Sequence, residues 1–148
     1  MIRVESSAVI GQPVEDVWAF VADPRNEPKW HTDILAIEPE VDRCSGPPTS
    51  WTLGSSWLVT VKFMGRRQYL VEISALAPNH RLEITTKSGP MKPTATYLVE
   101  PANGGTRFTR HVDLPLDGPL RMLEPLIRRD VQKRNATFVE NLKRLLDQ

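Results

Sequence analysis

Arg110 has the setting that most clearly calls for chemistry. Phe108 and Val112 flank it at i−2 and i+2, so on a regular strand its guanidinium shares their inward face. A buried guanidinium needs a partner, and its paired donors suit a carboxylate, enolate or phenolate on a bound molecule. A buried pair with Glu72 or Asp33, or a bulge that turns Arg110 outward, would satisfy the same pattern. His31 and Asp33, two apart on an extended segment, are the nearest thing to an acid–base unit. Histidine titrates near neutrality and a carboxylate can orient it, though plain solvent exposure is the simpler reading. Tyr69 and Tyr97 each offer a phenol, and tyrosine is also common in sheets because it packs well. His31, Asp33, Tyr97 and Arg110 are therefore the candidates for proton transfer or ligand fixation.

The elements that must position these residues follow from periodicity. Residues 2–10 read as a strand that ends at Gly11. Pro13 then stands at a first helical position, with Glu15 and Asp16 in the first turn and Val14, Val17, Trp18 and Val21 at helical spacing. Pro24 should end that helix by Asp23. Residues 24–30 read as a turn or broken helix, which places Trp30 in a loop, either closing a cavity mouth or anchoring a surface. An irregular edge strand over 32–41, interrupted by Pro39, leads to a loop around Cys44.

Strands over 56–64 and 68–76 alternate, with Trp57, Val59, Val61 and Phe63 on one face of the first and Tyr69, Val71, Ile73 and Ala75 on one face of the second. Gly65, Arg66 and Arg67 supply the turn between them. Strands over 81–87, 94–100 and 106–114 follow, the last two joined at Asn103-Gly104-Gly105, whose residues tolerate the positive φ of a tight hairpin. After Gly118-Pro119, Leu123, Ile127, Val131, Phe138, Leu142 and Leu145 fall on one stripe of an amphipathic helix of about 28 residues, roughly 42 Å long. Arg134 lies in that stripe, and Asp130 one turn earlier can pair with it while it snorkels at the rim. Short turns between successive strands imply an antiparallel meander that twists and curves around the last helix.

Composition removes several classes of function. With 148 residues and no repeat or linker, the chain is expected to be one domain spanning 1–148 with room for a real core. A formal net charge of +1 gives no field to attract nucleic acid or anionic lipid. The basic residues of the final helix, Arg121, Arg128, Arg129, Lys133, Lys143 and Arg144, are most simply a solvated face. Cys44 is the single cysteine, which excludes an intrachain disulfide and suits a reducing compartment. Glu5 breaks the first apolar stretch, so the N-terminus reads as mature protein, and no window approaches a membrane span. A cytoplasmic location is the expectation. Motifs for hydrolase elbows, zincins, nucleotide loops and dinucleotide folds are missing, and His31, His80 and His111 are scattered in sequence, so neither metal nor cofactor is expected.

Four segments, PVEDVWAFVADPRNEPKW, ALAPNHRLEI, YLVEPANGGTRFTR and FVENLKRLLDQ, together resemble the START/Bet v 1-like (SRPBCC) superfamily, in particular its polyketide cyclase/dehydrase-like branch. The resemblance spans nearly the whole chain in the family's order. It implies an α+β helix-grip fold, a curved antiparallel sheet of about six or seven strands around a long C-terminal helix, with short helices after strand 1. It also implies a deep cavity between sheet and helix. The expected lining is Trp30, Trp57, Val59, Phe63, Tyr69, Ile73, Tyr97, Phe108 and Arg110, with Ile127, Val131 and Phe138 from the helix. The first expectation is a binder of a small hydrophobic ligand of polyketide, lipid or aromatic type, as monomer or homodimer. The rivals are a cyclase/dehydrase (lyase-type) enzyme that uses the polar candidates without metal or nucleotide, and a protein-interaction module whose cavity is filled.

Overall fold

The computed structural model describes residues 1–39, 53–62, 65–89 and 91–147. Cys44, its surrounding loop and Phe63 lie outside the described residues. Seven strands form one sheet in the order β1-β7-β6-β5-β4-β3-β2, every neighbour antiparallel. They are β1 (Ile2–Ile10), β2 (Ile34–Pro39), β3 (Ser56–Lys62), β4 (Arg66–Ala77), β5 (Arg81–Thr86), β6 (Thr94–Ala102) and β7 (Gly105–Leu114). The helices are α1 (Val14–Val21), α2 (Glu27–Trp30) and the long C-terminal α3 (Glu124–Leu146). This is the helix-grip architecture expected from the sequence, with β2 at one edge and β1 brought back beside β7 at the other.

Local chemistry explains where the elements stop. Pro13 is the residue before α1, extended at φ −63° and ψ 157°, and not its first helical residue. Asp23 is extended ahead of Pro24, as a pre-proline residue prefers, and its carboxylate accepts from the Arg25 N–H to start a short 3-10 turn over Pro24–Asn26. Pro28 stands in the first turn of α2, where its missing N–H is no loss. The helical turn therefore continues to Trp30, which is not a loop residue. Arg66 and Arg67 pair with Lys62 and Val61, so they belong to β4 and not to the hairpin turn. A register shift in β4 between Ile73 and Ala75 gives the inward position to Leu76, which joins the core where Ala75 was expected. The C-terminal segment begins as a 3-10 turn over Gly118–Leu123, and the α-helix proper has 23 residues, roughly 35 Å. Leu123 and Leu145, placed on its apolar stripe by periodicity, are 49% and 38% exposed.

Strand alternation continues along the whole inner face, but the interior divides into two halves. At one end Trp57, Ile73, Leu82, Val99 and Phe108 are buried and pack with Val17 and Val21 of α1 into a filled core. Further along the same strands the inward residues are Val59, Val71, Ile84, Ala95 and Arg110, and these line a cavity. A second apolar cluster, Ile2, Val4, Val112, Leu114 and Leu116 with Ile127 and Val131 against it, seats the first half of α3.

Candidate functional site

The cavity has a volume of about 240 Å³, with walls from β2 to β7 and a roof of Val131, Arg134, Asn135 and Phe138 from α3. That lies somewhat below the ~300–1,000 Å³ of pockets for drug-sized molecules, a space on the scale of a small organic compound. Of the residues expected to line it, Val59, Tyr69, Tyr97, Arg110, Val131 and Phe138 do so. Trp30, Trp57, Ile73 and Phe108 are instead in the filled half of the core, and Ile127 lies in the second cluster. Trp30 is fully buried, its ring edge-on to Tyr97 at 5.3 Å and to Phe108 at 5.7 Å, so it neither closes a mouth nor anchors a surface. It holds Tyr97 in place from behind.

One end of the cavity is polar. Arg110 points inward, as the regular register of β7 requires, and is 7% exposed. Its partner is neither Glu72, which pairs with Lys87, nor Asp33. Nη1 of Arg110 donates to Oδ1 of Asn135 at 2.6 Å, and Nδ2 of Asn135 donates back to the Arg110 carbonyl at 2.9 Å. The guanidinium carbon lies 5.8 Å from the Tyr97 ring centre and 5.5 Å from that of Phe138, so two aromatic faces also receive the charge. Tyr97 is the direct cross-strand neighbour of Arg110, and its hydroxyl donates to Oε2 of Glu27 at 3.0 Å.

Glu27 is 2% exposed and lines the cavity. Burial pushes its carboxyl up to about 7, against the opposing pull of the Arg110 charge and the Tyr97 hydroxyl. Burial, then the neighbouring Glu27, also raises the Tyr97 phenol above its ordinary range. His31 lines the cavity half-buried, its ring stacked on Phe138 at 4.0 Å. Burial and then the Arg110 charge hold its imidazole well below the usual 6.5, so it is neutral at physiological pH. Among the described residues, Oε1 of Glu27, Nδ1 of His31 and Nε of Arg110 are buried without a hydrogen-bond partner.

All four polar candidates from the sequence thus reach the same cavity, but not as the units expected. Asp33 does not orient His31; it is paired with Arg134, which also holds Asp130 and lies at the cavity rim. Glu27 and Asn135 were not anticipated. Asn135 had a readable signal, since it falls on the same stripe as Val131, Phe138 and Leu142. Glu27 had none, because an acidic residue in a proline-containing turn reads as solvated.

Residues 1–147 match the protein family described as polyketide cyclase/dehydrase and lipid transport. The chain belongs to this family. Solved structures agree on the cyclase-family fold: TTHA0849, a protein from Thermus thermophilus, is similar at TM-score 0.77 and 16% identity, over 97% of this chain and 96% of that one. A START superfamily protein from Mycobacterium smegmatis has TM-score 0.67 and 17% identity over 99% and 95%. DynU16, from the dynemicin biosynthetic locus, has TM-score 0.69 and 20% identity over 99% of this chain and 48% of its own. No curated protein matches the sequence. Among the described residues of this cyclase-family chain, no His, Cys, Asp or Glu cluster is placed to hold a metal, and no helix is long and apolar enough to cross a membrane.

Gly89 lies close behind one lining residue, Tyr69. Gly89 has φ +96°, and a Cβ built there would lie 2.3 Å from the Tyr69 ring. Gly89→Ala should drive Tyr69 into the cavity, costing about 1 kcal/mol of stability through backbone strain. Ligand affinity should fall together with the urea midpoint; a change in the midpoint alone would mean that Tyr69 moves away from the cavity.

Proposed function

We propose that the protein binds a small, largely apolar molecule of one or two rings in this cavity, with the polar end of the molecule at Arg110, Tyr97 and Glu27. The observation that carries the reading is a largely apolar cavity lined at one side by Glu27, His31, Tyr97 and Arg110, of which Glu27, His31 and Arg110 each keep a buried polar atom without a partner among the described residues. Such atoms are unfavourable when left unpaired, and a bound molecule relieves them. The apolar walls supply affinity at ~25 cal/mol for each Å² removed from water. The volume argues against sterols and extended multi-ring polyketides. The similarity to DynU16, from a biosynthetic locus, supports a small organic ligand.

Native mass spectrometry before and after organic extraction, followed by thermal shifts against aromatic alcohols, phenols and acids, tests this directly. Saturation at 100 times the dissociation constant adds about 2.7 kcal/mol, a rise of roughly 5–10 °C for a chain of this length. Ala95→Phe fills the cavity from β6 and should abolish binding while the fold remains. If binding is undiminished in that variant, the site lies elsewhere.

A second reading, catalysis of the cyclase/dehydrase type, is favoured by one arrangement: Glu27 is buried at the cavity wall against the Tyr97 hydroxyl and near the Arg110 charge, and burial pushes its carboxyl up to about 7. A group balanced at working pH suits general acid–base transfer. Deuterium exchange at the α-carbon of small cyclic ketones, dependent on Glu27, would mark it.

A further inference from the structure

Glu27 and Arg110 bring opposite charges to one end of the cavity, and each keeps a buried polar atom without a partner among the described residues. Oε1 of Glu27 is an acceptor and Nε of Arg110 is a donor. A group that satisfies both must donate one hydrogen bond and accept another, which a single hydroxyl does.

The charge balance is narrow. Tyr97 on β6 and His31 after α2 are neutral, and Asn135 of α3 carries no charge. Arg134 of α3, at the rim, is committed to Asp33 and Asp130. With Glu27 ionised, the Arg110 charge is matched. A ligand carboxylate would place a second negative charge beside Glu27, and like charges sharing a site force one of them to take a proton. A ligand ammonium would face Arg110 instead.

We propose that Glu27 sets the charge of the molecule that the cavity accepts. A neutral hydroxyl-bearing head enters directly, donating to Oε1 of Glu27 and accepting from Nε of Arg110. A carboxylate enters only with one proton, taken from solvent by Glu27, whose acid form then donates to the ligand oxygen. This rule rests on the cavity being a ligand site. Because the carboxyl is poised near 7, the proton uptake falls within the ordinary physiological range.

Three probes of one shape decide it: 2-naphthylmethanol, 2-naphthoate and 2-methylnaphthalene, titrated calorimetrically into the full chain. Above about pH 7 the naphthoate affinity should fall about tenfold per pH unit, whereas that of the alcohol should change by less than about threefold. At pH 8, where Glu27 is mostly ionised before binding, titration in two buffers of different ionisation enthalpy should count close to one proton taken up per naphthoate and none per alcohol. In Glu27→Gln the pH dependence of naphthoate binding should disappear. If naphthoate binds without proton uptake while the hydrocarbon also binds, the charge rule is overturned and the ligand site stands. If none of the three binds, hydrocarbon included, the ligand site itself is overturned. Persistence of the pH dependence in Glu27→Gln would assign the proton to another group and remove Glu27 from the rule. Should that variant fail to fold, the proton count on the natural chain still decides.

Discussion

Arg110→Ala should lower the unfolding free energy by about 3–5 kcal/mol, a fall in melting temperature of roughly 10–15 °C for a chain of this size. The substitution leaves Oδ1 of Asn135 without its donor and Glu27 without the opposite charge that holds its carboxylate in a buried site. Two aromatic faces, Tyr97 and Phe138, would also lose the cation between them. Most of the loss is the penalty of stranded partners, so a double variant with Glu27→Gln should recover part of it. Urea denaturation of the natural chain, both single variants and the double variant reads that coupling. A loss under about 1 kcal/mol for Arg110→Ala alone would show that the guanidinium is not buried against these groups.

Glu27→Gln should have the opposite sign and a pH signature. The Glu27 carboxyl, ordinarily 4.5, is pushed up to about 7 in the folded chain. Between those values the folded chain holds more protons than the unfolded one, so its stability falls as pH rises through the window. The loss amounts to about 3 kcal/mol by pH 8. Glutamine is a neutral isostere that keeps an acceptor for the Tyr97 hydroxyl. The variant should therefore be more stable than the natural chain by about 3 kcal/mol at pH 8, with the advantage vanishing near pH 4.5. His31 works in the other direction. Its imidazole stays neutral below 6.5 while the unfolded chain takes up a proton, so its contribution declines as pH falls. That decline is common to both proteins and cancels in their difference. A difference in urea-derived stability that stays flat with pH would show that Glu27 is not the buried titrating group.

How far the sequence could lead depends on which physical signal each residue sends. Arg110 was readable because β7 runs without a bulge, so strict alternation puts residue 110 beside 108 and 112. In β4 the same logic failed after Ile73, since a one-residue shift moves the inward role from Ala75 to Leu76. The family resemblance pointed to the fold, and the expectation of a cavity between sheet and helix followed from it. It did not reveal where the filled core ends, because Phe108 and Arg110, or Ile73 and Val71, obey one alternation on both sides of that boundary. Trp30 was misplaced and Glu27 overlooked for a shared reason. Pro24 and Pro28 suggested a loop, yet proline in a first helical turn is benign, and the resulting turn buries both side chains. Partner choice was the least legible feature, since Asp33 could have paired with His31 or Arg110 and instead meets Arg134 from a helix 101 residues away in sequence.

The C-terminal helix is held unevenly. Its last turns are tied to the start of the chain: Asp147 accepts from the Gly11 N–H, the Leu146 carbonyl from Gln12, and Lys143 donates to the Val9 carbonyl. Every buried residue of α3 lies at or beyond Asn135. The half that precedes it, which roofs much of the cavity, rests on half-buried Ile127 and Val131. Free energy of local opening follows buried contact, so amide exchange along α3 should quicken from its C-terminal to its N-terminal half. The first half is not loose, since the Met1 ammonium meets Glu124 and Arg134 meets Asp33, but it is expected to bend before the clamped end does, as a cantilever would.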